Sequence, residues 1–142
     1  MEAFELAVRL GATGLESDVW VTADGVAVLD HDGVVRRGLR KISLADLDHT
    51  DLPDHIPTLA ELAAMVPADV SLSLDVKTTA AFDATAAAVR SADGDLAQRT
   101  WLCHPDAQQP VSYTHLTLPT IVRECRCRWA AGRVGGGGGG GG

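Results

Sequence analysis

The chain has 142 residues, of which 19 are acidic and 12 are basic, and its formal net charge is −7 at pH 7. Residues 1–109 hold 18 acidic and 8 basic side chains, a net charge of −10, whereas residues 110–142 hold 1 and 4, a net charge of +3. Because the acidic body offers no Lys/Arg stripe for phosphates, the composition argues against a nucleic-acid partner. No apolar run reaches the length of a membrane span, so we expect no membrane-spanning segment.

The first part of the chain predicts a helix, two strands and a basic loop. Apolar spacing favours a helix over residues 2–10, and alternation favours a strand over residues 14–21. The next residues, Asp24-Gly25, are typical of a hairpin turn, so the apolar run 26–29 is expected to return as a second strand. Residues 31–41 predict a polar loop. Its basic side chains are Arg36, Arg37, Arg40 and Lys41. We expect them to be solvated, with contact to a phosphate or headgroup as the less favoured alternative.

The second part of the chain alternates helix and strand. Thr58 with Glu61 three residues later predicts a capping box at the start of a helix that ends at Pro67. Strict alternation predicts a strand over residues 70–76. An Ala-rich helix over residues 79–91 and a short strand over residues 100–103 follow. This order favours an α/β fold with parallel βαβ units, in which chemistry gathers at the carboxyl ends of the strands.

A group of ionisable residues marks a candidate metal site. Glu16 and Asp18 lie two positions apart on a strand, so both project from one face, and the hairpin returns His31 and Asp32 beside them. Carboxylates next to a histidine suit a hard cation beside a proton carrier. Each feature also has a plainer explanation. Two strand carboxylates are often a solvated face, a lone histidine is often a turn or core residue, Asp75 and Lys77 can form a same-face ion pair, and Trp20 can line the pocket or simply pack.

Five segments resemble the glycerophosphodiester phosphodiesterase family. They are Glu16-Ser-Asp18, the Asp24-Gly25 turn, His31-Asp32, the helix start Ile56-Pro-Thr-Leu-Ala-Glu-Leu62, and Leu74-Asp-Val-Lys77. The opening residues are also similar to the helix that follows the family's first strand. The resemblance runs from residue 1 to about Pro105, and it is the combination of segments, rather than any single one, that is specific.

The resemblance implies a TIM-type (β/α)8 barrel that hydrolyses glycerophosphodiesters to an alcohol and glycerol 3-phosphate. It also implies a divalent metal, Mg²⁺ or Ca²⁺, held by Glu16, Asp18 and Asp75. By the same resemblance, His31 is one of two catalytic histidines, as acid or base, and Lys77 helps to hold the phosphate. The family usually has Glu where this chain has Asp75.

The match covers only the early units of such a barrel. The family's His-Arg-Gly segment, which supplies the other catalytic histidine, would precede Met1, and the later strands would follow the matched region. A barrel of this type has about 250 residues. We therefore expect residues 1–109 to be a partial domain, truncated at both ends, and the 142-residue chain to be inactive by itself.

Residues 110–142 predict no structure. The segment from Pro110 to Thr120 resembles one reading frame of a sequencing adapter, and residues 135–142 are eight consecutive glycines. We expect an artefactual, disordered tail, with a genuine flexible linker as the less favoured alternative.

Two further functions stay open for the body, residues 1–109: a lysophospholipase D of the same fold, and a non-catalytic half-barrel that binds a cation weakly.

Overall fold

The computed structural model describes residues 1–92 and 94–104. The predicted tail over residues 110–142 lies outside these described residues. Within them, no helix has the length and apolar character needed to cross a membrane.

The described elements follow the predicted alternation with one addition. The helices are α1 (Glu2–Arg9), α2 (Leu59–Met65) and α3 (Ala81–Ser91). The strands are β1 (Gly14–Val21), β2 (Ala27–Leu29), β3 (Val34–Arg37), β4 (Arg40–Ser43), β5 (Ser71–Val76) and β6 (Thr100–Cys103). Short 3-10 turns lie at Leu44–Asp46, His49–Asp51 and Leu96–Arg99.

The main sheet has the strand order β2-β1-β5-β6. β1, β5 and β6 are parallel, whereas β2 pairs antiparallel with β1 through the turn at residues 22–26. The predicted parallel βαβ arrangement is therefore confirmed, with α2 and α3 lying between successive parallel strands in the chain. The parallel register sets Asp18 directly opposite Asp75.

Alternation along β5 separates the core from the cleft. Leu72, Leu74 and Val76 are fully buried and pack with the buried side of α3, including Phe82. The residues between them, Ser73 and Asp75, are only partly buried and face the other way. One face of the sheet therefore supports the helices, and the other face is left for polar side chains.

The prediction of a loop over residues 31–41 was wrong for most of that segment. β3 and β4 form a separate antiparallel hairpin in which Val35 pairs with Ile42 and Arg37 pairs with Arg40. Gly38, with φ +62°, begins the two-residue turn, as the tight hairpin turns require. The four basic residues hid the strand pattern, because only Val35 is buried.

A second apolar cluster fixes this hairpin to the sheet. Its buried members are Val28, Val35, Leu44, Leu47 and Ile56. Trp20 packs against this cluster, and its Nε1 donates a hydrogen bond of 2.8 Å to the carbonyl of Asp30. Of the two roles open for Trp20, packing is the one that the structure shows.

The structure contains the capping box that the sequence predicted at the start of α2. The Thr58 hydroxyl accepts from the Glu61 amide, and the Glu61 carboxylate accepts from the Thr58 amide, which completes the predicted capping box of α2. The Val28–Thr58 bridge and a hydrogen bond from the Leu29 amide to the Pro57 carbonyl tie the start of this helix to β2. The segment before α2 is therefore held at the edge of the cleft.

Candidate functional site

An open cleft of about 890 Å³ lies on the polar face of the sheet. Side chains of β1, of the segment after β2, and of the end of β5 line it, together with residues of α1 and the segment before α2. The charged and titratable residues of the lining are Glu16, Asp18, Asp30, His31, His55, Asp75 and Lys77. The structure thus brings all five predicted site residues to one cleft.

Lys77 lies between two carboxylates. Its Nζ is 2.9 Å from Asp18 Oδ1 and 2.6 Å from Asp75 Oδ2. The register explains this, because Asp18 and Asp75 are direct neighbours on parallel strands and the Lys77 amide bonds to the Val19 carbonyl just beyond them. Two like charges face each other here, and the ammonium offsets their repulsion.

The electrostatics of Lys77 follow from this position. Partial burial, the largest effect, lowers the pKa of its ammonium. Hydrogen bonds to Asp75 and Asp18, with the negative charge of both, outweigh burial, and the net pKa of Lys77 is raised. The group therefore stays fully charged in the cleft.

Glu16 differs from Lys77 in that its surroundings disfavour its charged form. The residue as a whole is exposed, but the protein around its carboxylate removes some solvation, and this is the largest cause of a raised pKa. The negative charges of Asp18 and Asp75 raise it further, and Lys77 and His31 oppose them more weakly. A carboxylate whose pKa is raised by neighbouring carboxylates gains from any cation that enters the cleft.

His31 stands at the mouth of the cleft. Its side chain is 93 % exposed, and its Nδ1 lies 2.8 Å from Asp32 Oδ1. The hydrogen bond to Asp32, then the charges of Asp32 and Asp18, raise the pKa of His31 above its ordinary value. The turn after β2 thus places a titratable side chain at the cleft that the predicted carboxylates also line.

Asp30 is a positioning residue that the sequence analysis did not single out. Its carboxylate accepts hydrogen bonds from the amides of Asp32 and Gly33 at 3.0 and 2.7 Å, and its own amide bonds to the Asp18 carbonyl at 3.3 Å. These bonds fold the chain around His31. An aspartate two residues before a backbone donor is a recognisable local signal for such a turn.

His55 also lines the cleft, although no sequence pattern linked it to the site. The Leu29–Pro57 hydrogen bond and the Val28–Thr58 bridge bring its segment to β2. These are contacts between residues far apart in the chain, and no local signal in the sequence points to them.

The donor chemistry of the cleft suits a hard divalent cation. Glu16, Asp18 and Asp75 offer only carboxylate oxygens, which Mg²⁺ and Ca²⁺ prefer. Within residues 1–92 and 94–104, however, no three His, Cys, Asp or Glu side chains are close enough together to hold a metal ion. The Lys77 ammonium takes the space between Asp18 and Asp75, so a cation that bound both would have to displace it.

Comparisons with known proteins show which family the sequence matches. The model of the glycerophosphoryl diester phosphodiesterase family matches residues 1–100. Probable glycerophosphodiester phosphodiesterase 2 of Mycobacterium tuberculosis is 36 % identical over 93 residues, which are 60 % of this chain and 35 % of that protein.

Solved structures share the fold. A glycerophosphodiester phosphodiesterase from Thermotoga maritima superposes with a TM-score of 0.65 at 26 % identity, over 76 % of this chain and 48 % of that one. A second, from Parabacteroides distasonis, gives 0.68 at 22 % identity, over 84 % and 54 %. The chain thus spans about half the length of these two structures and 35 % of the length of the curated relative. The fold is part of a TIM-type barrel. By its sequence and its fold, the chain belongs to the glycerophosphoryl diester phosphodiesterase family.

Proposed function

We propose that this chain supplies the carboxylate side of an active site that hydrolyses glycerophosphodiesters to an alcohol and glycerol 3-phosphate with the help of Mg²⁺ or Ca²⁺. One observation carries the proposal. Asp18 and Asp75 face each other across β1 and β5, with Lys77 between them and His31 at the same cleft. Family membership supports the reaction class.

In this proposal the cation is held by carboxylates. Glu16, Asp18 and Asp75 would be its ligands, and the bound cation would neutralise charge on the phosphoryl oxygens. Asp75 has a shorter reach than the glutamate usual in the family, but its partly exposed carboxylate faces the same cleft as Asp18.

Lys77 is proposed to bind the phosphate. Its ammonium is a compact positive charge that is three-quarters buried among carboxylates. If those carboxylates held a cation, the Lys77 ammonium would be free to attract a phosphodiester oxygen as a point charge.

His31 is proposed to move a proton. With Nδ1–H donating to Asp32, Nε2 holds a lone pair in the neutral ring and a proton in the charged ring. The same atom can therefore take a proton from the attacking water or give one to the departing alkoxide. The hydrogen bond to Asp32 and the charges of Asp32 and Asp18 raise the pKa of His31, which favours the charged ring.

We expect the 142-residue chain by itself to be inactive. Its described sheet has three parallel strands, whereas a closed barrel of this type has eight. The sequence also contains no His-Arg-Gly segment to supply a second catalytic histidine. Hydrolysis of glycerophosphocholine by the purified chain, lost with EDTA, would contradict this expectation.

The activity is best tested in a chimaera. Residues 1–100 of this chain would replace the matching segment of the Thermotoga maritima enzyme, and release of glycerol 3-phosphate would be measured with added Mg²⁺ or Ca²⁺. We expect activity that falls by at least about 100-fold in D18N and H31Q, the scale of losing one catalytic group. D83N removes an exposed carboxylate of α3 and is the matched control.

A folded chimaera that is inactive, or one in which D18N and D83N behave alike, would contradict the proposal. Circular dichroism and the melting temperature would establish folding before activity is compared.

A non-catalytic role is the second candidate. It is favoured by the Lys77 ion pairs, which already neutralise Asp18 and Asp75, and by the lack of a three-ligand cluster among the described residues. Under that role the chimaera would stay inactive although the chain bound a cation weakly. The two candidates therefore differ in one measurable property, turnover.

A further inference from the structure

The β3–β4 hairpin, residues 34–43, is a basic projection on an acidic body, and we call it the basic hairpin. It carries four of the eight basic residues in a segment, residues 1–109, whose net charge is −10. The four are Arg36, Arg37, Arg40 and Lys41, and all are exposed.

The register of the basic hairpin sets like charges against each other. Arg36 pairs with Lys41, and Arg37 pairs with Arg40. Like charges directly opposite in a hairpin are destabilising. Among the described residues, no carboxylate lies within 4.0 Å of any of the four, and Arg37 bonds only to the backbone carbonyl of Asp51. Within residues 1–92 and 94–104, this charge therefore has no carboxylate as a close partner.

The tip of the basic hairpin is apolar. Leu39 is fully exposed, at 106 % of its reference area, beside Gly38 in the two-residue turn. The base of the hairpin is fixed, because Val35 is buried and Ile42 packs in the same cluster. The hairpin therefore differs from a solvated loop in two respects: its base is packed in an apolar cluster, and its tip exposes a leucine among cations.

The basic hairpin lies on the side of the cleft that holds His31. The hydrogen bond and charge of His31 are the main causes that lower the pKa of Asp32, and Lys41 and Arg36 lower it further. A surface bound by the hairpin would therefore lie near the mouth of the cleft.

We propose that the basic hairpin docks this chain on an anionic lipid bilayer, with Leu39 entering the headgroup region and Arg36, Arg40 and Lys41 contacting anionic headgroups. Charge complementarity selects an anionic partner, and the exposed leucine selects a bilayer over a soluble anion, because only a bilayer offers an apolar layer beneath the charge. This inference concerns a surface outside the cleft and does not depend on the proposed hydrolysis.

The test is sedimentation of the 142-residue chain with vesicles. Vesicles of phosphatidylcholine with about 30 mol% phosphatidylglycerol are compared with vesicles of phosphatidylcholine alone. We expect binding only to the anionic vesicles, and loss of that binding as salt rises from about 0.1 to about 1 M. The double variant R36Q/R40Q should bind about 30-fold more weakly, from roughly a fivefold effect for each charge.

A matched control removes the same charge elsewhere. R9Q/R90Q changes two exposed arginines on α1 and α3, and it should bind as the unchanged chain does. Leu39→Ser tests the apolar tip, and it should weaken vesicle binding about fivefold. Binding to heparin, a soluble polyanion, should not change in the Leu39→Ser variant.

Three results would overturn the proposal. The first is no binding to anionic vesicles. The second is an equal loss in R9Q/R90Q and R36Q/R40Q, which would indicate a net-charge effect. The third is vesicle binding that does not change in Leu39→Ser, which would show that the hairpin recognises soluble anions rather than a bilayer. All variants change exposed side chains, so circular dichroism should show unchanged folding.

Discussion

Lys77 carries the positive charge that lets two carboxylates face each other in the cleft. Its Nζ contacts Asp18 and Asp75 at 2.9 and 2.6 Å, and the three side chains are between 15 and 33 % exposed. Removing one partner of such a pair costs more than it does on the open surface but less than it does where the remaining charge is fully buried. The Lys77 ammonium thus offsets the repulsion between the two carboxylates of the candidate site.

Replacing Lys77 tests this balance. K77M leaves Asp18 and Asp75 without their close cation, so in EDTA we expect a loss of about 1–2 kcal/mol in the free energy of unfolding, measured by urea denaturation. Addition of Mg²⁺ should restore part of the loss. K41M, at an exposed lysine that faces Arg36 and has no carboxylate within 4.0 Å among the described residues, is the control and should cause no loss. Equal effects of the two variants would refute the role of Lys77.

The titration of His31 is a second prediction for single residues. Its pKa should lie above 6.5, because Asp32 stabilises the charged ring, and D32N should lower it toward that value. Stability from this pair is therefore present below about pH 6.5 and is lost as the pH rises through the folded-state pKa. NMR titration of the imidazole signals would measure the pKa of His31 in the unchanged chain and in D32N. A pKa that is the same in D32N and in the unchanged chain would rule out the assigned partner.

Individual elements differ in how far the sequence predicts them. The capping box of α2 and the alternation of β5 are local patterns, and both were predicted correctly. The basic hairpin was missed because burial of Val35, rather than a run of apolar residues, holds it in place. The position of Lys77 between Asp18 and Asp75 depends on the β1–β5 register, which joins residues over fifty positions apart and leaves no local signal.

Two glycines of the basic hairpin region allow a matched test of packing. Gly33 and Gly38 both have positive φ, +69° and +62°, but a Cβ on Gly33 would lie 2.5 Å from the Trp20 ring, whereas one on Gly38 would meet nothing within 4 Å. G38A should cost about 1 kcal/mol from backbone strain alone. G33A should cost about 1–3 kcal/mol more from the clash. Urea denaturation would compare them, and equal costs would refute the packing of Trp20 on Gly33.

The turn between β1 and β2 supports the acid stability of this region. Asp24 accepts hydrogen bonds from the His49 ring at 2.5 Å, from Thr22 at 2.5 Å and from the His49 amide at 3.0 Å, and its pKa falls to about 2, chiefly through His49. A lowered folded-state pKa means that this stability is present above about pH 3.8 and is lost as the pH falls through about 2.

The variant D24N should remove that pH dependence. Melting temperatures between pH 6 and pH 2 should show the gap between the unchanged chain and D24N closing as acid is added. D83N, at an exposed aspartate of α3, should follow the unchanged chain throughout. A gap that is constant with pH would contradict the account of Asp24.

At the scale of the whole molecule, the described residues form an open sheet with the cleft on one face and the helices α2 and α3 on the other. β2 and β6 are its edges within the described part of the chain. The proposed cation ligands, Glu16, Asp18 and Asp75, all lie on β1 and β5, so this part of the fold is enough to place them. We therefore expect the proposed cation binding to be measurable in the 142-residue chain even without turnover.

The most direct measurement is a calorimetric titration of the 142-residue chain with Mg²⁺ and with Ca²⁺. We predict one site of roughly millimolar affinity, as expected for a weak oxygen-ligand site. E16Q, D18N and D75N should each weaken it at least about tenfold, whereas D83N should leave it unchanged. K77M should strengthen it, because the cation then has no ammonium to displace. No detectable binding, or equal binding by D18N and D83N, would contradict the assignment of this cleft as a cation site.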